Sequence, residues 1–306
     1  MIGRASSSPA TTRMLLMLRH RRPLLDKLSL SASSSRYLSS SPSPSDSSSL
    51  YLWGTNTKGS LAAMVPEKSI QWEPAKFEDK LPSDSPIQQV VCGPTDTAIV
   101  TSAGEVYVAG ENKSGQLGLG HKNPVPNFTK LEQLEDPVEK VALGPSAGAC
   151  ITQGGDLYTF GFGGSLVAGM GLLGHGDGES YESPKLVTSL VEDGVYAQDV
   201  TLGESHMTVL TTEGEVLTTG SSSYGRLGNG ETSVDSLYLE PTEILQNVQA
   251  IAGGKSFTLA LQDGVIYGFG RNHKGQLGTG FGMAVDMYAM EQGKYIIFIQ
   301  LKILWL

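Results

Sequence analysis

The chain has 306 residues, a formal net charge of −9, 38 glycines and only 17% charged residues. Its hydrophobic fraction of 39% excludes a wholly disordered chain, and its two cysteines exclude a disulfide framework and a four-ligand zinc site. No apolar run reaches the roughly 18 residues that a membrane-spanning helix needs. Because glycine is abundant and charge is sparse, we expect many short strands joined by tight turns.

The first 45 residues differ in charge from the rest of the chain. They hold seven basic residues and one acidic residue, so their charge is +6 and the remaining 261 residues carry −15. A basic, serine-rich and acid-poor N-terminus is typical of an organelle transit peptide. The segment Arg36-Tyr37-Leu38-Ser39 resembles a mitochondrial processing site, and we place the cut after Leu38.

We therefore predict a disordered transit peptide and Ser/Pro linker over residues 1–49. This predicts a location in the mitochondrial matrix or at the inner membrane. One alternative is a disordered basic tail that has no targeting role, and another is a plastid or nuclear location.

A strand and a glycine-rich turn recur between residues 50 and 280. The strands are residues 104–110 (GEVYVAG), 155–161 (GDLYTFG), 214–220 (GEVLTTG) and 264–270 (GVIYGFG). The turns that follow them are residues 115–120 (GQLGLG), 171–176 (GLLGHG), 225–230 (GRLGNG) and 275–280 (GQLGTG). A weaker fifth copy begins the region with residues 51–54 (YLWG) and 59–61 (GSL).

The spacing of the repeat indicates its architecture. Successive turn glycines at 59, 115, 171, 225 and 275 are 56, 56, 54 and 50 residues apart. This period is too long for ankyrin or tetratricopeptide units and suits a propeller blade. Each unit predicts a short antiparallel sheet, and such sheets cover both of their faces by stacking radially.

A strand that ends in Trp/Phe-Gly, followed by polar residues and Gly-Gln-Leu-Gly, resembles the repeat of the regulator of chromosome condensation family. The resemblance covers about residues 50–280 and recurs five times. It implies an all-β propeller of that type, with about five of the expected seven blades present. It also implies that the chain acts by binding a protein and not by covalent catalysis.

The third copy is longer than the others. Ten residue positions separate Gly161 from Gly171, where five separate Gly110 from Gly115. We expect the extra residues, about 163–167, to bulge from one rim of the ring. Such a loop is either a contact site or the result of loop-length drift.

Residues 281–306 match no repeat and form an apolar, strand-like tail. Seven units and a leader would need roughly 400 residues. We therefore expect either a truncated gene model or a genuine short form. An open ring would expose two sheet edges and favour dimerisation or aggregation.

Motifs that carry chemistry are sparse. Residues 169–174 match a dinucleotide fingerprint, but no helix pattern follows and the glycines coincide with repeat positions, so we reject it. We assign His206 a structural role in preference to catalysis, and residues 175–179 a solvated loop in preference to a cation site. Cys92 and Cys150 are interpreted as buried thiols. We expect no catalytic residue, cofactor or metal.

Polar residues in repeat-equivalent turns are expected to cluster on one rim and to face a partner. They are Glu111, Asn112, Lys113, Tyr224, Arg226, Arg271, Asn272, His273 and Lys274. The resemblance implies guanine-nucleotide exchange on a small or mitochondrial GTPase. The alternative is a scaffold for assembly of the mitochondrial ribosome or a respiratory complex.

Other branches of the family fit the sequence less well. A nuclear, chromatin-associated exchange factor is the weaker alternative, because the acidic mature chain offers no general attraction to nucleic acid. The family's ultraviolet-B photoreceptor needs a tryptophan cluster and a repeated Gly-Trp-Arg-His-Thr segment. This chain has only Trp53, Trp72 and Trp305, and none of them lies in such a segment.

Overall fold

The computed structural model describes residues 50–56, 59–61, 69–77, 84–134, 136–230, 232–242 and 245–278, and the backbone of 290–291, 294–295 and 301–302. The predicted transit peptide and most of the predicted tail lie outside the described residues. Strand accounts for 50% of the structure and helix for 4%, which confirms the all-β prediction.

Within the described residues the strands form five successive antiparallel sheets, four of them four-stranded, and two further two-stranded hairpins. Sheet I contains β1 (Tyr51–Thr55) and β2 (Ile70–Lys76), and sheet II contains β3 (Ile87–Cys92), β4 (Asp96–Thr101), β5 (Val106–Gly110) and β6 (Val125–Lys130). Sheet III contains β7 (Val138–Leu143), β8 (Ala147–Thr152), β9 (Leu157–Gly161) and, after the hairpin of β10 (Gly164–Ser165) and β11 (Gly169–Met170), β12 (Tyr181–Leu186).

Helix α1 (Thr188–Glu192) then leads to sheet IV, which contains β13 (Ala197–Leu202), β14 (His206–Thr211), β15 (Val216–Gly220) and β16 (Ser236–Pro241). Sheet V contains β17 (Val248–Gly253), β18 (Phe257–Gln262), β19 (Val265–Gly270) and, after the hairpin of β20 (Met290–Glu291) and β21 (Lys294–Tyr295), β22 (Leu301–Lys302). The backbone of β22 pairs with β19, so a piece of the predicted tail supplies the fourth strand of sheet V.

The tight turns between the second and third strands of sheets II, III and IV share one hydrogen-bond pattern. The Thr101 amide donates to the Glu105 carbonyl at 2.9 Å, and the Glu105 amide donates to the Thr101 hydroxyl at 3.2 Å. The same two bonds join Thr152 with Asp156 and Thr211 with Glu215. Gly104 has a φ of +77°, and the glycines of the other predicted hairpins also have a positive φ. This backbone conformation favours glycine, which explains why each hairpin has one.

Apolar clusters fill the spaces between neighbouring sheets. Val100 and Val108 of sheet II share a cluster with Cys150 and Phe160 of sheet III, and similar clusters join the other neighbouring pairs. Strands β4, β8 and β14 are buried at every residue, because a sheet packs against each of their faces. Since burial of one large apolar side chain contributes about 1.5–3 kcal/mol, this stacking is the main source of stability.

Strand direction places the connections at two ends of the stack. The short loops between first and second strands, such as 93–95, and the long loops after the third strands, such as 111–124, lie together. We call this the long-loop end. The tight hairpins and the connections between sheets lie at the opposite end. Among the described residues no helix is long and apolar enough to cross a membrane.

Candidate partner-binding face

Buried asparagines organise the long loops of sheets I, II and V. The Oδ1 atoms of Asn56, Asn112 and Asn272 each accept a hydrogen bond of 3.0 Å from the amide of the leucine five residues later. Asn112 also donates to the His121 carbonyl at 2.6 Å and is wholly buried. Asn112 and Asn272, which the sequence predicted to face a partner, therefore hold their own loops in shape.

The lysines among the predicted residues reach solvent. Lys113 is exposed and pairs with Glu111 at 3.4 Å. Lys274 is exposed, and His273 beside it is half-buried. All nine predicted residues belong to long loops that follow third strands, so they share the long-loop end.

Tyr224 brings the loops of sheets IV and V together. The guanidinium carbons of Arg226 and Arg271 lie 5.4 Å and 4.6 Å from the centroid of its ring, within the range of cation–π contacts. Arg226 is only 5% exposed, and its Nε donates to the Ser223 carbonyl at 2.8 Å. Burial is the main cause that lowers the pKa of Arg226, and the like charge of Arg271 lowers it further.

The insertion in sheet III forms the β10–β11 hairpin and carries an exposed apolar tip. Leu166 is 93% exposed and Val167 is 99% exposed. Asp235 fixes the base of the hairpin, since its Oδ2 accepts from the Met170 amide and its Oδ1 from the Ser222 amide, both at 3.0 Å. The insertion is therefore a defined hairpin that leans on the loop of sheet IV.

A cavity of about 820 Å³ opens beside this hairpin, between the loops of sheets II, III and IV. Phe162, Leu166 and Val167 contribute apolar surface to it. Its charged lining residues are Glu204, Arg226 and Asp235. The cavity therefore combines an apolar wall with ionised groups.

His206 lies behind this cavity in the core. It is buried, with Nε2 3.2 Å from the Thr258 hydroxyl of sheet V. Burial, and then the charge of Arg226, lowers the pKa of His206 to about 3, so the imidazole is neutral at pH 7. A side chain at Gly203 would clash with the ring. These contacts agree with a structural role.

Asp96 occupies the repeat position equivalent to His206, and sequence reasoning missed it. Both carboxyl oxygens are buried without a hydrogen-bond partner. Burial is the main cause that raises the pKa of Asp96 to about 8; the backbone of Thr95 opposes it, and the charge of Glu111 adds to it. The signal available in the sequence was an acidic residue in a column that otherwise holds Ala147, His206 and Phe257.

The two cysteines are free thiols. Cys150 is buried and Cys92 is half-buried. Burial, and then the charge of Asp96, raises the pKa of Cys92 to about 11, and burial also raises the pKa of Cys150. Both thiols are therefore protonated at pH 7 and poorly nucleophilic.

Hydrogen bonds organise the turn that begins at His175. The Thr159 hydroxyl donates to the Leu173 carbonyl at 2.8 Å, so its 2.9 Å contact with His175 Nε2 places the imidazole proton on that nitrogen. Burial, and then the charge of Lys185, lowers the pKa of His175 to about 4. Within the part of the chain that the structure describes, no group of three His, Cys, Asp or Glu side chains is placed to hold a metal ion.

Stacked four-stranded sheets with this connectivity define a β-propeller, and known proteins of similar structure have that fold. Human WBSCR16 aligns with a TM-score of 0.66 and 25% identity over 82% of this chain and 62% of its own. Prp20p of Saccharomyces cerevisiae aligns with a TM-score of 0.62 and 20% identity over 77% of this chain and 57% of its own.

The model of the regulator of chromosome condensation (RCC1) repeat matches residues 103–151 and 213–261. The ultraviolet-B receptor UVR8 of Arabidopsis thaliana is 37% identical over 198 residues, which are 63% of this chain and 43% of that receptor. The chain thus spans less than half the length of this relative. It contains repeats of the regulator of chromosome condensation type, as the sequence predicted.

Proposed function

We propose that this chain is a protein-binding propeller of mitochondria that promotes guanine-nucleotide exchange on a GTPase. The observation that carries the proposal is the β10–β11 hairpin, which holds Leu166 and Val167 in solvent beside a charged cavity. Apolar side chains on a fixed support lose little conformational entropy on binding, so they suit the centre of an interface.

The choice of partner class rests on the family. The yeast Prp20p structure is described together with its binding to Gsp1p, a small GTPase, and to histones. In the mechanism that the family implies, one face of the propeller grips the GTPase and displaces its phosphate-binding elements and magnesium. We assign that contact to the long-loop end, where the hairpin and the arginines lie.

A nucleotide-release assay tests the proposal. Purified mitochondrial GTPases are loaded with fluorescent GDP, and release is followed with substoichiometric chain and excess GTP. We expect one GTPase to respond catalytically. The double change Leu166→Ser and Val167→Ser is expected to slow its release about tenfold, because a buried anchor residue contributes more than about 1 kcal/mol to an interface.

Val191→Ser is the matched control, because Val191 is an exposed apolar residue of α1 at the opposite end of the stack. Release that is unaffected by the hairpin variant would refute the assignment of the contact to the hairpin. A chain that binds a mitochondrial assembly complex but leaves every release rate unchanged would favour the scaffold role instead.

The mitochondrial location rests on residues 1–49 and has its own test. Imported chain should begin at Ser39, and removal of residues 1–38 should abolish import into isolated mitochondria. Unchanged import of the shortened chain would refute the transit peptide and leave the propeller's binding role to be sought in another compartment.

A further inference from the structure

Arg226 is a buried cation that makes no direct ion pair among the described residues. Its Nε is used by the Ser223 carbonyl, and among the described residues its two terminal nitrogens have no hydrogen bond or ion pair. An ionised group that is removed from water and left unpaired is unfavourable. In native proteins such a group is therefore a candidate for a partner that arrives from outside.

The carboxylates of the cavity are already occupied. Asp235 accepts backbone amides on both oxygens, from Met170 and Ser222. Glu204 pairs with Lys255 at 3.0 Å. Both charges raise the pKa of Arg226, but among the described residues neither forms a direct ion pair with it, so its terminal nitrogens remain open to a partner.

A second guanidinium strengthens the attraction for an anion. Arg271 lies 4.6 Å from the same Tyr224 ring, and its Nε is buried without a hydrogen-bond partner. The like charge of Arg271 lowers the pKa of Arg226, and an anion placed at Arg226 would relieve that repulsion. A carboxylate suits the site better than a phosphate, because a dianion would also face Glu204 and Asp235.

The apolar lining of the same cavity specifies the neighbour of that anion. Phe162, Leu166 and Val167 contribute that lining, and the hairpin tip is open to solvent. We propose that the cavity receives an aspartate or glutamate side chain of the partner protein, with its carboxylate on Arg226 and an adjacent apolar residue on the hairpin. The inference rests on the proposed protein-binding function and names the partner's chemistry at that face.

Selection of peptides tests the inference without a known partner. A phage library of random linear 12-residue peptides is selected on the immobilised full chain, and enriched peptides are measured by fluorescence polarisation. We expect sequences in which Asp or Glu stands beside an apolar residue. Arg226→Gln should weaken binding about tenfold or more, and Leu166→Ser should weaken it several-fold.

Lys122→Gln is the matched control, because Lys122 is an exposed lysine in a long loop and pairs with Glu182 at 3.3 Å. It should leave peptide affinity within about twofold, since exposed ion pairs contribute little. Leu166→Ser changes an exposed residue, so it reports on the site even where Arg226→Gln impairs folding. Basic consensus sequences, affinity unchanged by both variants, or preference for a phosphopeptide would overturn the inference.

The exchange proposal and the inference about an acidic partner residue can be refuted independently. If Arg226→Gln accelerates GDP release as well as the unmodified chain does, the exchange proposal stands and this inference falls. If no GTPase responds but acidic peptides bind through Arg226, this inference stands and the exchange proposal falls.

Discussion

The long loops of sheets II and III occupy the same place in the repeat but are anchored differently. In sheet II the Asn112 side chain accepts the Leu117 amide at 3.0 Å. In sheet III Gly163 stands two residues after the strand, as Asn112 does, and its carbonyl accepts the amide of Leu172, the residue before the equivalent Leu173, also at 3.0 Å. The acceptor has therefore changed from a side chain to the backbone, and the hydrogen bond has moved by one residue along the turn.

This difference shows how the fold accommodates an insertion. Both loops still reach their buried leucine, and the glycine before each leucine has a positive φ, +76° at Gly115 and +83° at Gly171. The residues between are free to form the β10–β11 hairpin. A loop that closes on its own asparagine can hide its polar groups, whereas the longer loop can project an apolar tip.

Removing the asparagine should break the shorter loop and has the largest expected effect. Asn112→Ala leaves the Leu117 amide and the His121 carbonyl without their partner. Since an unsatisfied buried group costs about 1–3 kcal/mol, we expect the free energy of unfolding to fall by about 3 kcal/mol. Chemical denaturation measures it. Asn127→Ala, on the exposed part of β6, is the control, and an equal effect of both changes would contradict the role of the bond.

Asp96 extends the comparison of sheets II and III, because sheet III has Ala147 at the equivalent position. Its pKa of about 8 lies above the ordinary value of 3.8, so its contribution to stability is fully present below pH 4 and is lost as the pH rises through about 8. Asp96→Asn should therefore raise the free energy of unfolding at pH 8, by about 2 kcal/mol, and have little effect at pH 4.

Denaturation over this pH range measures the difference between Asp96→Asn and the unmodified chain. Asp136→Asn removes an exposed carboxylate from the link between sheets II and III and serves as the control. A difference that grows toward low pH would show that Asp96 is stabilised as the anion, against the burial seen here.

Exchanging the loops has the smallest expected effect on stability. Residues 162–170 are replaced by residues 111–114, which shortens the loop of sheet III by five residues. Halving a loop changes closure entropy by about 0.6 kcal/mol, so the free energy of unfolding should change by less than about 1 kcal/mol. Binding of acidic peptides and GDP release should nevertheless be lost. Retained binding would show that the hairpin is a spacer.

Several features of the candidate face could be predicted from the sequence. The repeat positions of the turns placed the loops after Gly110, Gly220 and Gly270 at one end, and the structure brings Tyr224, Arg226 and Arg271 together there. The inward direction of the Asn112 side chain could not be predicted. The sequence of a polar turn is the same whether a polar side chain in it faces solvent or bonds to its own backbone. The unpaired state of Arg226 depends on what its neighbours already bind.

The sequence by itself determined the class of fold, since glycines at regular intervals specify the turns and alternating apolar strands require stacked sheets. Only the tertiary structure decided what the insertion and the ionisable groups do. Asp235 accepts a hydrogen bond from the Met170 amide, 65 residues away in sequence, and His206 contacts the Thr258 hydroxyl, 52 residues away. Burial and pairing of this kind depend on contacts between neighbouring sheets, and a local pattern cannot encode them.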